Sequence, residues 1–405
     1  RGERRVALRH GATVSAEATG PDDAAGSGPG AVWQAFCDRV GALGPVIESE
    51  ASSPEAAAEG VHHLANQLAC WLTYVIGHSD PDRPAFFRSS DLVYEWGGPN
   101  TDQVARRCAI RGDAVYRISG HMGGCEEFVL QVKRGAAQSG GAGVAAEVSA
   151  SSMGLGPGDE IDIVLGGPEQ EGNWIPLPDD AGFVHIRDYY FDWRSTDAAT
   201  FVIERVGPAA ARPRRDAEHV ARVLDAAASE IEHSVAFWSG YQARMLGDLP
   251  PNDFTDPGGA AGGVQEIVYS HAGVALPTGR ALVVEVDPAD APLWDVQLYN
   301  RPWYEALDAA GRTTSTNHRM AVPDVDGVVR VVISADDPGS PNWLDTEGRD
   351  HVLATLRWWR PGRLPVVRAE VVPLVDAPGA GMVSATERDA ERRRRASHLA
   401  WRYRT

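Results

Sequence analysis

The sequence predicts a mainly β protein with flanking helices, α+β in class, built from two related antiparallel β-sandwich or barrel-like domains that arose by internal duplication. Three observations carry this reading. Short runs alternating apolar and polar residues recur between Gly, Pro and Asp turns. Two long segments carry apolar residues at helical spacing. Blocks of the first strand set answer blocks of the second in the same order at nearly one offset. At 405 residues and 43% hydrophobic, the chain can bury a full core and is long enough for two or three domains.

In chain order, residues 13–30 are small, polar and Gly/Pro-rich, so 1–30 reads as a flexible leader. A helical segment is expected over 31–90. Within it, 54–76 places Val61, Leu64, Leu68, Trp71, Leu72 and Val75 on one helical face, with Ser53 as N-cap and Pro54 in the first turn. The first β domain, 91–210, contains VYRIS (115–119), EFVLQV (127–132), EIDIVL (160–165), GFVHIRDYY (182–190) and TFVIERV (200–206). A connecting amphipathic helix is expected over 211–250, from the spacing of Val220, Val223, Leu224, Ala227, Ile231, Val235 and Trp238 across 215–246. The second β domain, 260–375, contains VQEIVYS (264–270), ALVVEV (281–286), WDVQLYN (294–300), GVVRVVIS (327–334), HVLATLRWW (351–359) and VVRAEVV (366–372). A basic helical tail closes the chain over 376–405.

The duplication rests on paired blocks. FVLQV at 128 answers WDVQL at 294, IVLGGPEQEGNW (163–174) answers VISADDPGSPNW (332–343), and FVHIRDYY answers VLATLRWW. Asn173-Trp174 and Asn342-Trp343 recur in equivalent loops, which assigns them to the scaffold: Asn closing a turn, the indole covering the sheet end.

The formal charge of -18 disfavours a general nucleic-acid or anionic-membrane binder, and no apolar run approaches the roughly 20 residues of a membrane span. Cys37, Cys70, Cys108 and Cys125 lack ligand spacing, and the N-terminus lacks the apolar stretch of a signal peptide; the expectation is a cytoplasmic protein with reduced thiols. GxSxG, P-loop, HExxH and dinucleotide fingerprints are absent from the sequence, so no cofactor is expected.

GGPNTD (97–102), VYRISG (115–120), NWIPLP with IRDYY, DVQLYN, TSTNHRM and the block DDPGSPNWLDTEG with LRWW resemble the bacterial family of domain of unknown function 1214, over about residues 86–359. Where that family usually continues GPN-x-D into a tyrosine-containing strand, this chain has QVARRCAI. The resemblance implies a largely β fold in a bacterial metabolic protein and brings no established chemistry.

Among the residues, Asp188 is the leading catalytic candidate. A period of two puts Val184, Ile186, Asp188 and Tyr190 on one strand face, where an acid among apolar groups has its pKa raised and can act as a proton donor. The alternative is a buried ion pair with an arginine. Tyr190 would orient the reacting group, and Asp337 and Asp345 are the further acidic candidates. In the loop 335–351, Asp336, Asp337, Asp345, Glu347 and His351 could offer oxygen ligands, but the spacing matches no defined cation loop and no metal is expected. Trp96, Trp193, Trp294, Trp303 and Trp358, with Asn100, are the candidate substrate-binding residues, since aromatic faces beside acids suit apolar or cationic groups.

The expected function is a cofactor-independent enzyme acting by acid–base chemistry on an apolar small molecule, with isoprenoid or steroid-like compounds as examples. The reaction would be a hydration, dehydration, isomerisation or cyclisation of lyase or isomerase type. The alternative is a non-catalytic sugar- or lipid-binding β-sandwich protein. A homodimer is compatible with either.

Overall fold

The computed structural model describes residues 28–92, 94–140, 143–194, 197–208, 210–260 and 263–403. The leader expected over 1–30 therefore lies, as far as residue 27, outside the described residues. Three helices follow: α1 (Pro29–Gly41), α2 (Leu43–Glu50) and α3 (Pro54–Gly77). α3 starts at its sequence signals, with the Ser53 hydroxyl accepting from the Ala56 N–H at 3.1 Å. The segment expected as one helix is two, α4 (Ala217–Trp238) and α5 (Tyr241–Leu246), because Gly240 between them adopts φ 62°, a left-handed conformation that interrupts the helix. The helices bury Ile47, Trp71, Ile231 and Trp303 together.

The first β half comprises β1 (Phe87–Ser90), β2 (Gln103–Ala109), β3 (Val115–His121), β4 (Glu127–Lys133), β5 (Val144–Ser149), β6 (Glu160–Leu165), β7 (Asn173–Ile175), β8 (Phe183–Tyr189) and β9 (Thr200–Val206). The second comprises β10 (Ile267–Ala275), β11 (Arg280–Val286), β12 (Leu293–Tyr299), β13 (Ser315–Asn317), β14 (Val329–Ser334), β15 (Trp343–Asp345), β16 (His351–Trp359) and β17 (Arg368–Pro373). In the first half the sheets run β1-β2-β8-β4-β5 and β7-β6-β3-β9; in the second, β10-β16-β12-β13 and β15-β14-β11-β17. Strand for strand, the second half reproduces the first, with β1 as an added edge. Even the parallel pairing recurs, β6 with β7 and β14 with β15. The chain is thus two related β domains, each an open two-sheet stack; the barrel-like variant does not form.

The repeated tryptophans do equivalent work. The Trp174 indole N–H donates to the Gly166 carbonyl at 2.9 Å and that of Trp343 to the Ser334 carbonyl at 3.2 Å, each closing the parallel strand pair. Asn342 brackets the turn, accepting from the Val322 N–H at 2.8 Å and donating to the Arg330 carbonyl at 3.0 Å.

Each half turns one sheet outward to meet the other half. Val129 and Tyr189 of the first pack with Ile267, Trp359, Tyr269 and Leu293 of the second, and the Tyr189 and Trp359 rings lie 5.4 Å apart. The expected basic tail is α6 (Ala385–Arg402), opened by a Ser384/Glu387 capping box. Its residues Arg388, Arg395 and Arg402 are seven apart, fall on one face, and are only 2%, 1% and 2% exposed. Arg388 pairs with Asp337 at 2.9 Å, Arg395 lies 4.1 Å from the centre of the Trp193 ring, and Arg402 donates to the Thr101 carbonyl. The helix straps the two halves together. Among the described residues no helix is long and apolar enough to cross a membrane.

Candidate functional site

Between the two facing sheets, beside the Tyr189–Trp359 contact, lies a partly open cleft with a cavity volume of about 140 Å³. The strand period of two builds its walls. In β8 the face opposite the sandwich core presents His185, Arg187 and Tyr189; pairing sets His185 beside Arg107 of β2 and Gln131 of β4, and Arg187 beside Ala105 and Val129. The second half contributes Tyr269, His271 and Arg357 from the equivalent face. Trp96, Trp238, Tyr241 and Tyr304 close one side as an aromatic cluster, with Trp96 and Trp238 edge-to-face at 5.5 Å and Tyr241 stacked on Tyr304 at 5.7 Å.

The GGPN loop fits against these rings only because of its glycines. Gly97 and Gly98 have φ 54° and 63°, and a Cβ on either would overlap the Trp238 or Tyr304 ring. The Pro99 carbonyl accepts from Gln297 at 3.0 Å and from the Tyr299 hydroxyl at 2.9 Å, and Asn100 donates to Asp295 at 3.1 Å. This loop fastens the first half to β12 of the second.

The electrostatics of the cleft are opposite to those of the chain. In a protein of net charge -18, its lining holds Arg107, Lys133, Arg187, Arg357 and two histidines and, among the described residues, no carboxylate side chain. Arg357 is neutralised by Asp295 at 2.9 Å. Arg187 is held by a neutral group, donating to the Gln131 side-chain oxygen at 2.7 Å, while Gln131 donates in turn to Glu147 and to the Gly263 carbonyl. Arg107 sits 4.0 Å from the centre of the Phe183 ring and 4.6 Å from that of Tyr74, and its Nε has no hydrogen-bond partner among the described residues. Burial, then the charges of Arg187 and Arg107, pushes the Lys133 ammonium down to about 7. Burial and the same cations with Lys133 hold His185 well below the ordinary histidine range, so its ring is neutral; the ring is 4% exposed and its Nε2 has no partner among the described residues. His271, desolvated beside Arg357, is pushed down to about 3.

Residues 273–363 match the family model described as a protein of unknown function, DUF1214. That segment is similar to the DUF1214 family. A crystal structure of an uncharacterised protein from Burkholderia cenocepacia is similar with a TM-score of 0.77 at 28% identity, covering 86% of this chain and 98% of that one. A structural-genomics protein from Vibrio parahaemolyticus is similar with a TM-score of 0.45 at 12% identity, covering 75% of this chain and 96% of its own. No curated protein matches the sequence. The DUF1214 segment begins within β10 and supplies Tyr304 and Arg357 to the cleft. The motifs GGPNTD and VYRISG lie outside the matched span.

Of the residues singled out from the sequence, Trp96 and Asn100 line the cleft. Asp188 does not. It is fully buried inside the first sandwich, gripped through both oxygens by Arg106 at 3.1 Å and bonded by the Tyr190 hydroxyl at 2.6 Å. The ion-pair alternative is the arrangement found. Tyr190 is likewise committed, accepting from the Ala199 N–H at 2.9 Å. Asp337 seats Arg388, and Asp345 pairs with Arg312 at 2.8 Å and accepts from the Glu347 N–H at 2.7 Å. The acidic loop is an arginine-tied turn, and among the described residues no group of three or more His, Cys, Asp or Glu is arranged to hold a metal ion.

Four of the five tryptophans are structural. Trp193 donates to Asp102 at 2.5 Å and stacks on His398; Trp303 donates to the Ala56 carbonyl at 2.9 Å; Trp294 and Trp358 fill the second sandwich core, with Trp358 donating to the Asp287 carbonyl at 2.8 Å. The sequence reading passed over Arg107, Lys133, His185, Arg187 and Arg357. A usable signal existed: Lys133 is the only lysine in a chain with 38 lysine and arginine residues.

Proposed function

We propose that the cleft takes a small molecule bearing an anionic group on an aromatic or apolar body. One comparison carries this reading. Arg357 and Arg187 occupy the same register in β16 and β8; opposite Arg357 the partner strand supplies Asp295, and opposite Arg187 it supplies Val129. A half-buried guanidinium with a neutral partner, beside Arg107, leaves positive charge that a ligand carboxylate or phosphate would neutralise with paired N–H donors. The aromatic side suits the rest of the molecule, so the apolar substrate expected from the sequence is kept and given a charged head.

Acid–base chemistry of lyase or isomerase type on such a ligand falls to His185 and Lys133 rather than to Asp188, because these line the cleft and one holds an uncharged ring with an unpartnered nitrogen. A cytoplasmic setting is supported by the cysteines, which are free thiols at all four positions.

The test is a thermal-shift and calorimetric panel on protein purified without carboxylate or phosphate buffers: phenylacetate, benzoate and octanoate against phenylacetamide, benzamide and octanamide. The acids are expected to bind and the amides not, and Arg187→Gln is expected to weaken the acids by about 10-fold or more. Equal binding of acids and amides contradicts the proposal.

A further inference from the structure

Building on the anionic-ligand reading of the cleft, we infer that Lys133 is a nucleophile toward a carbonyl carbon of that ligand, so that the site takes oxo acids and forms an imine with them.

Three observations converge. Of the chain's 38 lysine and arginine residues all but one are arginine, and the one lysine lies in the cleft wall, 7% exposed. Arginine stays protonated at any ordinary pH, so lysine alone among the cationic side chains can present an amine lone pair. The surroundings favour that state: Lys133 ends β4 on the same face as Gln131, with Arg187 and His185 on the neighbouring β8 and Arg107 on β2 beyond it. Desolvation and the two guanidinium charges weaken its hold on a proton, with Glu147 of β5 pulling the other way. Finally, the second half has no counterpart. Tyr299 stands in the equivalent register and is bound to the Pro99 carbonyl.

The step balances without an oxidant or reductant. The neutral Nζ attacks the carbonyl carbon, and the carbonyl π pair moves to oxygen; one proton passes from nitrogen to that oxygen, giving a carbinolamine. Loss of that oxygen as water, with a proton supplied through the neutral His185 ring or solvent, leaves a C=N⁺ iminium. Arg187 would hold the ligand carboxylate meanwhile. The iminium withdraws electrons from the neighbouring carbon, so the bonds it weakens are those broken in decarboxylation, dehydration or retro-aldol cleavage.

The experiment uses the full chain with phenylpyruvate and sodium cyanoborohydride, read by intact mass and peptide mapping, with phenylacetate binding measured alongside. Because there is one lysine, a lysine adduct identifies itself. The expected result is a single reduced adduct on Lys133 whose rate of formation rises through about pH 7. Lys133→Arg and Lys133→Met are expected to abolish it, Lys133→Arg while retaining phenylacetate binding, and Arg187→Gln to slow it by about 10-fold or more. No adduct, or adduct only on the terminal amine, with phenylacetate still bound overturns the imine and leaves the anion site standing. Loss of phenylacetate binding in the wild type as well overturns the cleft reading itself.

Discussion

At the end of β8 the first β half turns Asp188 into its core; at the same register of β16 the second half turns in Trp358. The neighbouring strands follow suit, with Arg106 of β2 standing where β10 has Ser270. On the opposite faces of the same strands the balance reverses: the second half pairs Arg357 with Asp295, while the first sets Arg187 against Val129. Two copies of one topology therefore place their charge differently. Charge inside the first sandwich is compensated by a carboxylate, whereas Arg187 on its cleft face is held by the neutral Gln131. A buried charge with its partner on an adjacent strand explains itself as structure; one without a carboxylate partner points outward, to a ligand.

The largest expected effect comes from breaking the compensated pair. Asp188→Asn leaves the buried Arg106 without its counter-ion and is expected to cost about 3 to 5 kcal/mol in thermal or chemical denaturation. Trp358→Phe in the second half, which keeps an aromatic ring and loses one hydrogen bond, is expected to cost about 1 to 2 kcal/mol. Equal costs would remove the distinction between a charged and an apolar core.

Next is the pH dependence set by Lys133, which Tyr299 replaces in the second half. Its folded-state pKa is depressed to about 7, so between there and the ordinary lysine value the unfolded chain binds a proton that the folded chain lacks. Stability should therefore rise with pH across that window, by up to about 1.4 kcal/mol per pH unit relative to Lys133→Met. Parallel stability–pH curves for the two proteins would show that the lysine is not perturbed. The smallest effect compares the repeated tryptophans: Trp343→Phe, at a buried site, is expected to cost about 1 to 2 kcal/mol, and Trp174→Phe, half-buried, less than about 1 kcal/mol.

The alternation in β8 was legible in full: Val184, Ile186 and Asp188 face the core, and His185, Arg187 and Tyr189 face the other way. What periodicity could not convey was that the other way is also interior. A polar strand face normally meets solvent, and only the packing of one half on the other makes it a cleft wall. β2 was missed for the same reason, since all seven of its residues are buried and adjacent Arg106 and Arg107 serve opposite faces, so no alternation appears. β7, β13 and β15, three residues each, are too short to show a period. The duplication was legible because paired blocks keep their order even as residues change. The candidate acids misled because sequence shows a carboxylate without its arginine; Asp188, Asp337 and Asp345 each found one in a distant segment, Arg106, Arg388 and Arg312. Tryptophans do not announce whether they pack a core or line a cleft, and only Trp96 of those chosen does the latter.

The central claim, that the first half's unmatched Arg187 awaits an anion, is tested most directly by giving it the carboxylate its counterpart has. Calorimetric titration of phenylacetate into wild type and Val129→Asp, at one pH and ionic strength, is expected to show binding in the former and a loss of about 10-fold or more in the latter, with the variant still melting cooperatively. Unchanged phenylacetate affinity in a folded Val129→Asp protein would contradict the account.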